Sequence, residues 1–142
     1  MFKKEEAKKI KSEFWIAFGK SFPRKWLLYN TRIKDFSLKF YADAKKAHVS
    51  FDLEMNDPEL LEKYYNKLWS LEDLLVESWG SLEKSPEITL ENGKKIARFW
   101  IELNDVSIFR KEDWRKIFEF FYEKMDSAEQ FFYEYEDIIK DI

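Results

Sequence analysis

Residues 36–53 read FSLKFYADAKKAHVSFDL, and the two alternating runs in this stretch decide the fold. Pairing Ala42 with Ala47 around Asp43-Ala44-Lys45-Lys46 sets Phe40 opposite Val49, Leu38 opposite Phe51 and Phe36 opposite Leu53 on one side. On the other side Tyr41 meets His48, Lys39 meets Ser50 and Ser37 meets Asp52. Strand side chains alternate with period two, so a one-residue slip would put every apolar side chain in water. The spacing therefore predicts an antiparallel hairpin with one dry face and one polar face.

A second hairpin is predicted where Asn92-Gly93 separates EITLE (87–91) from KKIARFWIEL (94–103), with both turn residues at positive φ. In that register Glu91 meets Lys94, Thr89 meets Ile96 and Glu87 meets Arg98 on the wet side. Ile88, Ala97, Phe99, Ile101 and Leu103 lie on the dry side, which leaves Trp100 among charges, between Arg98 and Glu102. Upstream, KWLLYNTRI (25–33) is aromatic and ends β-branched, and it reads as a further strand. The sheet then has about five strands.

Helices account for the rest. Ala7, Ile10, Phe14, Trp15 and Phe18 recur at helical spacing, with Gly19 as the expected stop. Asp57-Pro58-Glu59 is a helix start, with an acceptor at the N-cap, proline at the first helical position and a carboxylate facing the positive end of the dipole. Leu61, Tyr64, Leu68, Leu71, Leu75 and Trp79 extend it as one stripe, about 33 Å long at 1.5 Å per residue, to Gly80. From Glu112 the apolar residues of a last helix span a broader arc than one sheet contact requires. That helix either breaks near Asp126-Ser127 or is buried on two sides. The reading is a single α+β domain over 1–142, in the order α-β-β-β-α-β-β-α(-α), with an antiparallel sheet packed with helices.

Hydrophobic residues at 45% and only three glycines and three prolines favour well-filled elements over disorder. The absence of cysteine removes disulfides, thiolate metal sites and thiol catalysis, and makes a reducing cytoplasm the default location. No apolar run approaches the roughly 18 residues of a membrane span, so no membrane partner is expected. Residues 1–50 hold 13 Lys+Arg against 5 Asp+Glu, while residues 51–142 hold 12 against 23. Such a split either marks a basic surface for an anion or is neutralised across one fold.

Catalytic chemistry finds little to work with. His48 is the single histidine and lies opposite Tyr41 on the polar side, and neither GxSxG nor HExxH is present. Three scattered glycines build no phosphate cradle. Asp52 and Glu54 share the polar face of one strand and Glu102 lies on that of another, so the geometry admits a metal-binding acidic cluster. The run of helix, three strands, helix and strand also resembles, in topology alone, the restriction-endonuclease-like nucleases. Those enzymes need an acid-x-Lys on the second acidic strand, and Asp52-Leu53-Glu54-Met55-Asn56 offers no lysine. No catalytic residue, cofactor or metal ligand is assigned.

EFWIAFGK (13–20), the strand pair ending in FDLE (51–54) and SIFRKEDWRKIFEFF (107–121) resemble the bacterial domain-of-unknown-function family numbered 4268. The resemblance covers nearly the whole chain. It implies an α+β fold and a loose association with DNA-directed or defence systems, and it carries over no catalytic residues.

The expected function is a non-catalytic, intracellular interaction module that binds a protein partner or itself. Its candidate contacts are Trp100, Arg98, Tyr41 and Lys39 on the polar face, with Phe120, Phe131 and Tyr133 as surplus aromatics for a homodimer. The alternative is nucleic-acid binding through Arg24, Lys25, Arg32, Lys34, Lys39, Lys45 and Lys46, with Tyr41 or Trp100 stacking on bases. A degenerate metal-dependent nuclease-like domain is the third reading.

Overall fold

The chain folds as α1 (Lys4–Ser21), β1 (Phe36–Ala42), β2 (Lys46–Leu53), α2 (Pro58–Ser70), α3 (Glu72–Trp79), β3 (Glu83–Thr89), β4 (Lys95–Asn104) and α4 (Lys111–Lys140) in the computed structural model, which describes residues 2–142. One sheet holds the four strands in the order β1-β2-β4-β3, and every neighbouring pair is antiparallel. The alternation of residues 36–53 sets the first hairpin as expected, from Ala42 opposite Ala47 to Phe36 opposite Leu53.

The sheet has four strands rather than five, because KWLLYNTRI does not extend. Leu28, Arg32 and Asp35 take φ of 49°, 64° and 63°, which is incompatible with continuous strand pairing. The segment wraps the outer edge of β1 instead. Leu38 N–H donates to Leu28 O (3.0 Å), Phe36 N–H donates to Ile33 O (3.2 Å), and the Thr31 hydroxyl donates to Phe36 O (2.7 Å). Two strands rather than three therefore precede α2, and the topological likeness to the nuclease core loses its first strand.

In the second hairpin Gly93 alone takes positive φ, at 86°. Gly93 N–H donates to Leu90 O (2.8 Å) and Leu90 N–H to Lys94 O (2.8 Å), so a three-residue loop replaces the expected two-residue turn. Thr89 then pairs with Lys95 and Ile88 with Ile96, and an irregularity between Ser85 and Ile88 sets Ser85 opposite Arg98. The one-residue shift turns Ile88 to the side of Ile96. Ile96, expected on the wet face, is fully buried outside the main apolar cluster. Pro86 and the irregularity blunt β3 as an exposed edge.

Helix ends follow local chemistry. α1 passes through Gly19, the expected stop, and ends at Ser21 two residues before Pro23. Asp57 caps α2 by accepting from Glu59 N–H at 3.0 Å, with Pro58 opening the helix. The expected long helix is interrupted at Leu71 (φ −105°, ψ 8°) into α2 and α3, and Gly80 closes α3 at φ 88°.

All four helices pack on the dry face. Phe18 of α1 meets Phe40 (5.1 Å between ring centroids), Tyr64 of α2 meets Phe36 (6.0 Å), and Tyr65 of α2 meets Phe99 (4.9 Å). Trp79 of α3 meets Phe51 (5.7 Å). α4 is one unbroken helix over this face, touching Phe40 through Phe121 (4.9 Å), Phe36 through Phe132 (5.8 Å) and Phe51 through Phe131 (5.9 Å). Its wide apolar arc is buried on two sides, with α1 against Trp114, Phe118 and Phe121 and α3 against its second half.

Candidate functional site

With every helix on the dry side, the polar side chains of the strands form a helix-free face. Register fixes its rows. Tyr41, His48 and Glu102 make one cross-strand row; Lys39, Ser50, Trp100 and Glu83 make the next; Ser37, Asp52, Arg98 and Ser85 make the third. Four of the seven expected interaction residues, Trp100, Arg98, Tyr41 and Lys39, are thus brought together. Trp100 is half-buried in the middle row and Tyr41 is exposed at the margin.

Ion pairs tie the strands together across this face. Asp52, fully buried, accepts from Arg98 Nε (2.8 Å) and Nη2 (2.9 Å) and from the Ser50 hydroxyl (2.8 Å). Lys39 Nζ lies 2.8 Å from Glu54 and 3.6 Å from Asp52, and Lys46 Nζ lies 3.2 Å from Glu102. The three carboxylates of the imagined metal cluster are each held by a different principal cation. Among the described residues no group of three or more His, Asp or Glu is placed to share a metal ion.

The Tyr41 hydroxyl donates to Asp43 at 2.6 Å, which raises the phenol to a pKa of about 12. His48 lies under the Tyr41 ring, 4.6 Å between centroids, and its Nδ1 is buried without a hydrogen-bond partner among the described residues. Burial, and then the nearby Arg98, lower its pKa from 6.5 to about 4, against the opposing pull of Asp52 and Glu102. The folded protein thus binds this proton less readily than the unfolded chain. Stability is complete above the unfolded value and falls as pH drops through the window down to about 4, by up to about 3 kcal/mol. His48→Gln is predicted to flatten that part of the pH profile. Urea midpoints of both proteins across the window check this, and parallel profiles would contradict it.

The remaining expected residues are scattered. Phe120 and Phe131, expected as surplus dimer aromatics, are interior, at 9% and 3% exposure, because the second flank of α4 is covered. Tyr133 is exposed but lines a separate shallow cavity with Arg32 and Glu136. Among the expected anion contacts, Arg24 is taken up inside the fold. It binds Asp126 (2.8 Å) and the buried Glu129 (2.6 Å) and lies 4.3 Å over the Trp26 ring. Lys39 and Lys46 are paired as described, whereas Lys25, Arg32, Lys34 and Lys45 are exposed and join no ion pair among the described residues. Each ion pair made by a cation of the first fifty residues ends on a carboxylate of the remainder, so part of the charge split is internal neutralisation.

Glu129 and the Asp52–Arg98 pair escaped the sequence reading. Glu129 falls inside the apolar arc of α4, between Met125 and Phe132, and a carboxylate there needs a cation. That was the available signal for Arg24. Among the described residues no helix is long and apolar enough to cross a membrane. In comparison with known proteins, the family described as "Domain of unknown function (DUF4268)" matches residues 10–136. No curated protein and no solved structure matches the chain.

Proposed function

We propose, for a chain that belongs to the DUF4268 family, that it is a non-catalytic interaction module that self-associates through the helix-free face of its sheet. The observation that carries this reading is the half-buried Trp100 in the middle row of a face that no helix covers. Tryptophan and arginine are the residues most enriched at binding hot spots. The face presents Lys39, Lys46 and Arg98 beside Glu54 and Glu102, with Asp52 buried beneath them, a neutral mosaic that a two-fold axis can match to itself.

Four strands at about 4.8 Å spacing and seven residues of rise give a face of roughly 450 Å². The footprint is small, and Ser50 and Asp52 within it are already buried in the monomer, so the dimer is weak and concentration-dependent. We place it in a reducing cell interior, in keeping with a sequence free of cysteine, and in the bacterial, DNA-directed setting that the family resemblance implies. The nucleic-acid reading is weakened because three of its seven cations are engaged by carboxylates.

Sedimentation equilibrium over a wide concentration range tests the proposal. Trp100→Ala is expected to raise the dimer dissociation constant by about tenfold or more, equivalent to about 1.4 kcal/mol, with a loss of monomer stability of about 1–2 kcal/mol that leaves the fold intact. A monomer at the highest concentration in both low and moderate salt would overturn it. So would a dimer indifferent to Trp100→Ala and Tyr41→Ala.

A further inference from the structure

We infer that the outer edge of β1 is a docking groove for an extended acidic peptide of a partner protein, added to the sheet as a strand; this goes beyond the self-association reading and uses other residues. Three observations support it. The first is backbone. Leu38 turns its N–H outward, to Leu28 O at 3.0 Å, so by strand alternation Phe40 also turns its N–H and C=O outward. The wrapping segment bonds to β1 at Phe36 and Leu38. Among the described residues no hydrogen bond outside the sheet reaches Phe40, and an unpaired edge of this kind is what strand addition uses.

The second observation is a cavity at that point. Trp15 of α1, Leu28, Tyr29 and the strand residues Ser37–Phe40 border an open groove of about 340 Å³, with an almost wholly apolar lining. That space takes one or two aliphatic side chains pointing toward the helices from alternate positions of an added strand. Tyr29 stands at its rim, 77% exposed.

The third is charge. α1, the wrapping segment and β1 together wall the groove, and residues 4–42 hold ten Lys+Arg against four Asp+Glu. Of the ten, only Arg24 and Lys39 are in ion pairs among the described residues. Lys11 lies one helical turn before Trp15 on the same side of α1 and is exposed. A second copy entering by its own β1 would bring the same excess of positive charge, and β3 is blunted by Pro86. An acidic segment with alternating apolar residues meets both the cations and the slot. Single-stranded nucleic acid would meet the cations but not the apolar slot, and one face of the Trp15 ring is already stacked on Phe121 (5.6 Å).

The test is fluorescence anisotropy with the full chain and a labelled Glu-Val-Asp-Ile-Glu-Val-Asp peptide. Saturable binding is expected, weakened by about tenfold or more when lysines replace the acids, when the central amide nitrogens are methylated, and in Tyr29→Ala. Trp100→Ala should bind the peptide normally, which separates this result from any failure of the dimer. Equal affinity for the basic and acidic peptides, or indifference to amide methylation, would overturn the proposal. Tighter binding of oligo-dT that competes with the peptide would overturn it in favour of nucleic acid. Loss of self-association in Tyr29→Ala would overturn it in favour of a second copy.

Discussion

Phe121→Ala is expected to remove about 4 kcal/mol of folding free energy. Phe121 is fully buried where three elements meet. Its ring centroid lies 6.3 Å from Phe14, 5.6 Å from Trp15 and 5.3 Å from Phe18 of α1, and 4.9 Å from Phe40 of β1. Truncation removes the transfer free energy of the ring and leaves a void that four rigid aromatic neighbours cannot close. Domains of this size are stable by about 5–15 kcal/mol, so a large fraction of the total is at stake. At about 4 °C per kcal/mol the melting temperature should drop by roughly 15 °C. Phe121→Leu should lose well under half as much. Calorimetry of both variants checks the claim, and a loss below about 1 kcal/mol for Phe121→Ala would mean that α1 is not seated on α4 as described.

Asp52→Ala is expected to cost about 3 kcal/mol, although it deletes a polar side chain from the polar face of a sheet. Removing it strands Arg98, whose side chain is only 18% exposed, and leaves the Ser50 hydroxyl without its acceptor. Asp52→Asn keeps the shape and loses the charge, and should be nearly as damaging. The double variant Asp52→Leu/Arg98→Met removes both charges, and should recover most of the loss. A double-mutant cycle by urea unfolding measures the coupling. Additive losses would show that the pair does not act as a unit.

How much of this was legible in the sequence depended on whether a signal was local. The first hairpin could be read residue by residue, because Phe36, Leu38, Phe40, Val49, Phe51 and Leu53 leave one register that keeps them dry. The parity of β4 was equally clear, with Phe99 and Ile101 inside and Trp100 on the other face. The second hairpin was misread by one residue because Asn92-Gly93 also serves a loop in which only glycine takes positive φ. KWLLYNTRI reads as a strand because Leu28 and Arg32, which take positive φ under tertiary constraint, are residue types that give no local sign of it. The aromatic surplus of α4 was visible, but whether a second layer covered Phe120 and Phe131 depended on how α1 and α3 divide its flanks.

At the candidate site the sequence placed Trp100, Arg98, Tyr41 and Lys39 on one face, since that needs parity alone. It did not reveal that Asp52 and Ser50 are buried there, because their cover comes from long side chains on neighbouring strands rather than from a helix. Nor did it separate the cations that pair internally from those that stay exposed.

Among the described residues, one side of the sheet carries all four helices and the other carries none. The chain contains no cysteine, so single-cysteine variants report each side directly through their labelling rates with a water-soluble maleimide. Tyr41→Cys and Glu83→Cys, both exposed on the polar face, should react near the rate of a free thiol. Val49→Cys and Ala97→Cys, on the helix side, should be slower by about 100-fold or more, since they react only on opening. Rapid labelling of Val49→Cys and Ala97→Cys with protection of Tyr41→Cys and Glu83→Cys would overturn this arrangement.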